Sequence, residues 1–272
     1  MSAPVISILL PAYNCMQFLS QTIDSLLNQT FADFELLIIN DGSTDDTEQV
    51  IKSYKDARIR YIKNEVNSGL IYSLNKGIDL AAGKYIARID ADDLALPQRL
   101  ELQKKWLDDH PLTAVVGCTV QMIDEQNKGL GLWKDDQQTT TFKAIKAMMP
   151  WENCLAHPSV MIRTELAIQY KYDGNQQHTE DYDLWLRMLA DGLIIEKVPQ
   201  NLLLYRVHQS SITGSILRKS NPFFKQFNCK RRFLARRIKG GTWGAFESKV
   251  LLTTLYDGLM GTGKKIKNSI KG

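Results

Sequence analysis

The segment IARIDADD places Asp90, Asp92 and Asp93 within four residues at the end of an apolar run. Open α/β sheets gather their ligands at strand ends. Carboxylates at alternate positions there suit a hard divalent cation, Mn²⁺ or Mg²⁺, which keeps waters and substrate phosphates as its other ligands. Three acids this close repel one another, so a positive partner is expected. The competing reading is a solvated acidic loop with Asp93 as a helix cap; the apolar strand before it and LPQRLE after it favour the metal. Another carboxylate, Asp41, stands at the tip of FELLIIN, beside Pro11, Ala12, Tyr13 and Asn14 at the end of the first apolar run. There it can accept from a uracil-like N3–H or a ribose hydroxyl, while Gly42 and Ser43 read as turn chemistry. Glu180, Asp181 and Asp183 open the helical run EDYDLWLRMLADG, where the dipole welcomes acids whatever their task. His208 is either a further metal ligand or a hydrogen-bonded loop histidine. His157, ahead of Pro158, reads as structural, and His110 and His178 as surface residues.

These groups need strands that end together. Apolar, β-branched runs at 5–10, 34–40, 58–63 and 84–89 alternate with helical patterns over 15–29, 45–55 and 68–82. That rhythm predicts βαβ units and a parallel sheet, and unbroken apolarity in ISILL and ELLIIN predicts helices on both faces. After Asp93 the expected order is a helix at 97–109, one or two strands in AVVGCTVQMI, and a loop at 127–131. A helix near 139–148, a strand over HPSVMIR, the EDYD helix and strands LIIEKV and LLLYRV complete the pattern. There is no GxGxxG after the first strand and no GxxxxGK[ST], so any diphosphate must be held by metal and side chains.

The 272 residues fit one large α/β domain with appendages or two small ones. The net charge of +4 conceals an asymmetry: from Leu217 onward there are 14 Lys/Arg against Glu247 and Asp257 alone, so residues 1–216 are net acidic. The four cysteines show no metal-binding spacing and read as free thiols. No window reaches about 18 apolar residues, so no membrane span is expected.

Taken in order, ISILLPAYN, NDGSTDDT, NSG…SLNKGIDLAAGKYIARIDADD, HPSVMIR, EDYDLWLR and YRVHQSSIT resemble the family 2 inverting glycosyltransferases of GT-A fold. The match runs from about Ile6 to Thr213. It implies a Rossmann-related, mostly parallel sheet flanked by helices with a C-terminal helical extension. It also implies a catalytic domain over 1–216, divided into a nucleotide-sugar half (1–93) and an acceptor half (94–216). By resemblance, Asp41 reads the nucleobase in a pocket with Pro11, Ala12, Tyr13 and Asn14. Ser68, Gly69, Asp90 and Ala91 belong to the same donor site, with Asp90 near the ribose. Asp92 is the metal ligand proper, and Asp181 the catalytic base. The expected reaction is transfer from a nucleotide-diphosphate sugar, UDP above all, to a saccharide or lipid-linked acceptor in cell-surface polysaccharide synthesis. A sugar nucleotidyltransferase is the rival enzyme, disfavoured because LLPAYNCMQF lacks a Gly-rich basic loop; a non-catalytic nucleotide- or membrane-binding protein is the rival outside enzymes. Trp133, Trp151 and Trp185 read as core, with Trp151 also placed to stack on a sugar.

The tail over 217–272 interleaves bases with Phe223, Phe224, Phe227, Phe233, Leu234 and Trp243. A basic amphipathic helix is expected to meet an anionic membrane surface from the cytoplasmic side, the alternatives being packing on the catalytic domain or a homodimer contact. Nucleic acid is not an expected partner, because no recognition module accompanies the charge.

Overall fold

The computed structural model describes residues 3–133, 136–208 and 221–271; the expected 216/217 boundary and the end of YRVHQSSIT lie outside the described residues. The first half is the expected alternation. It runs β1 (Ile6–Ala12), α1 (Met16–Leu27), β2 (Phe34–Asn40), α2 (Thr47–Ser53), β3 (Ile59–Lys63), α3 (Leu70–Leu80) and β4 (Tyr85–Arg88). β1 lies parallel to β2 and β4, and β2 parallel to β3. Alternate side chains of β1 enter different layers, because successive residues of a strand point to opposite faces. Ile6, Ile8 and Leu10 pack with Leu19, Ile23 and Leu26 of α1. Leu9 packs with Leu74 and Ile78 of α3. Both faces are covered, which explains the unbroken apolar runs.

The second half departs from simple alternation. It comprises β5 (Leu94–Ala95), α4 (Arg99–Asp109), β6 (Thr113–Ile123), β7 (Gly129–Leu132), α5 (Phe142–Met148), β8 (Met161–Arg163), α6 (Thr164–Tyr170), α7 (Glu180–Ala190) and β9 (Ile194–Arg206). The nine strands form one sheet in the order β3-β2-β1-β4-β8-β6-β9-β5, with β7 against β6. β8 runs antiparallel to β4 and β6, while β6 and β9 are parallel. The mixed-α/β sheet is thus parallel on one side and mixed on the other.

Three local expectations are corrected. HPSVMIR begins as a 3-10 turn over His157–Ser159, and only Met161–Arg163 is strand. Pro158 fixes φ and offers no N–H, so the segment cannot pair from its start. The expected loop at 127–131 contains the start of β7, a hairpin partner of β6. The runs LIIEKV and LLLYRV are one strand: Cys118 pairs with Val198 and Thr119 with Asn201, leaving Pro199 and Gln200 as the extra residues of a bulge.

The tail forms α8 (Pro222–Lys239) and α9 (Ala245–Lys271). The Asn221 side chain accepts from the Phe223 amide at 3.2 Å and Pro222 follows it, an ordinary helix start. Cys229, Phe233 and Leu234 of α8 are buried with Phe246 and Val250 of α9 in the same core cluster as Leu184, Trp185 and Met188. Phe233 and Leu234 are therefore core residues rather than membrane anchors, because α7 presents an apolar face that water would otherwise cover. Gly258 and Gly261 let α9 lie close on α8: a Cβ at Gly261 would stand 3.1 Å from the Phe224 ring and one at Gly258 3.3 Å from Phe227. A buried ion pair, Lys230 Nζ to Asp257 Oδ2 at 2.7 Å, joins the two helices. All four cysteines are free thiols. Among the described residues no helix is long and apolar enough to cross a membrane.

Candidate active site

The ends of β1 and β2 are knitted together by short polar side chains. Asn14, with φ of 46°, donates from its amide to Ser43 Oγ and accepts from the Thr44 amide at 2.8 Å. Asparagine tolerates the left-handed region better than most residues, so Asn14 acts as a strut between the two tips. Asp41 is buried, and its oxygens accept from three donors. These are Asn64 Nδ2 at 2.7 Å, the Ser68 amide at 3.0 Å and the Gly69 amide at 2.8 Å. Ser68 and Gly69 are thus drawn to Asp41 by their backbone. Gly42, with φ of +67°, lets the chain at Val66 and Asn67 approach where a Cβ would collide with backbone at 2.6 Å. Tyr13 stands exposed at the rim.

The IDADD turn is clamped from both sides. Thr22 Oγ1 of α1 bonds the carbonyls of Ala91 (2.9 Å) and Asp93 (2.8 Å). From β9, the Arg206 amide donates to Asp93 Oδ1 at 2.8 Å and its Nε to the Asp92 carbonyl at 2.7 Å. Arg88, itself buried, grips Asp90 with both terminal nitrogens. This is the expected positive partner, and it neutralises one of the three acids. Asp92 Oδ2 meets His208 Nε2 at 2.7 Å, and the His208 ring lies 5.1 Å from Phe18. Carboxylate oxygens of Asp90, Asp92 and Asp93 all fall within 4.8 Å of one another. Burial and the neighbouring Asp92 push the Asp93 carboxyl well above its ordinary value. Its Oδ2 is buried with no hydrogen-bond partner among the described residues. Hard oxygen donors, mutual repulsion and an orphaned buried oxygen together fit a divalent cation.

Asp181, at the first turn of α7, is half-buried; its Oδ2 accepts from Asn153 Nδ2 at 2.7 Å and its Oδ1 from the Tyr182 amide. Burial raises its carboxyl above the ordinary value despite those donors. Burial, then the charge of Asp181, pushes Glu180 up to about 7. The charge of Asp181 reaches Asp90, so the structure brings the strand-end acids and the α7 acid into one electrostatic field. Asp183 turns the other way. It is fully buried and paired with Arg187 at 2.8 Å and Arg236 at 3.1 Å, a structural role. His157 is buried on Tyr172 at 2.7 Å, as read from the sequence, and burial holds its pKa well below the ordinary value. Trp185 is core, whereas Trp151 is 55% exposed.

Several residues at this site carry no signal in local spacing. Thr22, Arg206 and Asn153 act from elements distant in the chain. Lys225 of α8 stands where the charges of Glu180 and Asp181 reach it, and burial lowers its pKa. Arg88 alone had a visible signal, lying two residues before Asp90 in the strand.

A family model described as Glycosyl transferase family 2 matches residues 7–170. An uncharacterized glycosyltransferase of Methanocaldococcus jannaschii is 37% identical over 211 residues, covering 76% of this chain and 72% of the relative. An O-antigen biosynthesis glycosyltransferase of Escherichia coli is 31% identical over 218 residues, 78% and 84% of the two chains. Among solved structures, residues 1–349 of S. aureus TarS in complex with UDP-GlcNAc superpose with a TM-score of 0.74 at 18% identity, over 93% of this chain and 72% of that one. A Pyrobaculum calidifontis mannosyltransferase with GDP-Man and Mn²⁺ gives 0.66 at 15% identity, over 96% and 72%. At these identities the likeness shows the GT-A fold alone.

Proposed function

The chain belongs to glycosyl transferase family 2, and on that premise we propose that it moves a sugar from UDP to a saccharide hydroxyl with inversion at the anomeric carbon. The observation that carries this reading is Asp181. It is a carboxylate made more basic by burial, steadied by Asn153, and set in the same field as the strand-end acids. Asp181 takes the proton of the acceptor hydroxyl, whose oxygen forms the new bond to the anomeric carbon. The bond from that carbon to the diphosphate breaks on the opposite face, and the nucleotide leaves with the electron pair. One base and one displacement invert the centre, as in single-step glycosidases.

Residues 1–93 hold the donor in this reading. Pro11, Ala12, Tyr13 and Asn14 form the rim, and the last open direction on Asp41 accepts from uracil N3–H. The loop amides of Ser68 and Gly69, with Asp90 and Ala91, border the ribose. Asp92 and Asp93, with His208, would hold Mn²⁺ or Mg²⁺, whose contribution is to offset charge on the departing diphosphate. The acceptor is a saccharide, free or carried on lipid at the cytoplasmic face of a membrane, in cell-surface polysaccharide synthesis; the O-antigen relative supports that role.

Calorimetry with UDP, GDP and CDP, each with Mn²⁺ and with EDTA, tests the donor side. UDP should bind tightest and lose most of its affinity with EDTA or in Asp92→Ala. Tighter binding of CDP overturns the role given to Asp41, because cytosine N3 is an acceptor; tighter binding of GDP, whose guanine also offers N–H donors, overturns the choice of uracil. Binding and turnover that ignore EDTA overturn the metal.

A further inference from the structure

Between Leu251 and Gly263 the two faces of α9 are reversed from what a helix on a globular surface normally shows. Its inward face carries Thr253, Thr254, Asp257, Gly258 and Gly261, all buried or half-buried. Its outward face carries Leu252 (67% exposed), Leu255 (57%), Leu259 (76%), Tyr256 and Met260. Spacings of three and four residues align these five on one stripe. Isolated exposed leucines need no explanation, but a contiguous apolar stripe beside a polar inner face marks a surface that meets something apolar.

We infer that this face of α9 docks on an anionic lipid bilayer and so delivers a membrane-borne acceptor to Asp181; the second clause rests on the transfer reading above. Charge favours lipid over a second copy packed tail to tail. Beyond Leu217 the tail has only two acids, and both are internally paired: Glu247 with Arg237 at 2.9 Å, and Asp257 with Lys230 at 2.7 Å. A second copy therefore has no free tail acid to meet Lys249, which is exposed on the same face, or to balance the positive charge of the tail. Phosphodiester headgroups supply that complement, and leucines inserted below them supply the apolar one. Trp243, 46% exposed at the start of α9, has an amphipathic ring suited to the interface between the two. Position links the stripe to the chemistry. Tyr256 lies edge-on to Trp151 with ring centres 5.9 Å apart, and two residues on, Asn153 holds Asp181. A bilayer under α9 would lie at the acceptor side of that carboxylate.

The test uses the full chain. Co-sedimentation is measured with vesicles of phosphatidylcholine alone and with about one-third phosphatidylglycerol, at low salt and at 1 M, where the screening length falls to about 3 Å. Wild type should bind the anionic vesicles at least tenfold better than the neutral ones and lose that preference at high salt. Leu255→Glu/Leu259→Glu should bind at least tenfold less, Leu255→Ala/Leu259→Ala an intermediate amount, and both should keep wild-type UDP affinity in Mn²⁺ as proof of fold. Wild type that ignores vesicles overturns the proposal, as does a Glu variant that binds them undiminished. If light scattering instead finds a dimer that the Glu variant dissociates, with no vesicle binding, the face belongs to a second copy and the proposal falls. Wild type that binds vesicles but not UDP leaves docking standing and defeats the transfer reading instead.

Discussion

Two strand ends in this molecule each carry an aspartate, and the fold treats them in opposite ways. At the tip of β2, Asp41 is supplied with three N–H donors, two of them backbone amides of the loop before α3. Past β4, Asp92 and Asp93 are crowded by each other and by Asp90; Arg88 is ion-paired with Asp90, Asp92 meets His208, and Asp93 keeps a buried oxygen with no partner among the described residues. A carboxylate with three of its acceptor sites occupied by its own chain shapes the loop around it. Carboxylates left with charge and lone pairs to spare are prepared for something that arrives. In the transfer reading proposed above, the first arrangement would shape the donor pocket and the second would hold the cation.

The largest test of this contrast removes the group that should act on the acceptor alone. Asp181→Asn should lower kcat by about 10²–10⁴-fold while UDP affinity in Mn²⁺ changes less than about threefold. An equal loss of both would place Asp181 on the donor side. Next, Asp41→Asn turns one acceptor oxygen toward the loop amides as a donor, leaving at least one buried N–H unpaired at a cost of about 1–3 kcal/mol. Thermal unfolding without nucleotide should show a lowered Tm, and calorimetry a weakened UDP; a variant with normal Tm that merely changes base preference would mean Asp41 does not shape the loop. At the β4 end the sign should reverse. Asp92→Asn keeps a polar contact with His208 but removes the charge that raises Asp90 and Asp93. Its cation-free Tm should rise by about 2–4 °C, the shift expected of roughly 1 kcal/mol at this size, and it should lose the further gain that Mn²⁺ confers on wild type. A lower cation-free Tm would break the comparison.

Smaller effects follow from the buried acids of α7. Burial raises Asp181, and a base works only when ionised, so the acid limb of kcat/KM should lie above the ordinary carboxylate range, activity falling as pH drops through it. Glu180, pushed to about 7 from 4.5, holds its proton more tightly folded than unfolded. Folding is therefore favoured below about 4.5 and loses that contribution as pH rises through 7. Glu180→Gln should accordingly raise Tm at pH 8 and leave it nearly unchanged at pH 4; an equal shift at both would point to packing rather than charge.

The tail offers a parallel lesson about apolar residues. In the sequence, Phe233, Leu234 and Trp243 are equivalent members of one basic, aromatic run. In the fold the first two are buried beside α7 and only Trp243 is exposed, while the exposed stripe lies in α9, where composition alone draws no attention. Amphipathicity tells that a helix has two faces. Which face meets the protein depends on what the protein presents to it.

Much of the chemistry was legible from local pattern, because strand period, turn residues and clustered acids act over a few residues. The βαβ alternation through β4, the three acids at its end, Asp41 at the tip of β2 and the acids opening α7 all follow from such spacing, and the order of those segments pointed to the family. Tertiary structure alone decided how they are held. The Arg206 amide reaches Asp93 across 113 residues and Thr22 reaches the same aspartate's carbonyl across 71. Asn153 fixes Asp181 from 28 residues away, and the charges of Glu180 and Asp181 reach Lys225 on α8. No short-range rule predicts which distant donor fills which acceptor, since that depends on sheet order and on the pairing of β5 with β9 that sets Arg206 beside the IDADD turn. The same holds for the split of three neighbouring acids: one is paired with Arg88, one meets His208, and one is buried with an oxygen that has no partner among the described residues, because burial and partners are properties of the assembled sheet and not of the segment.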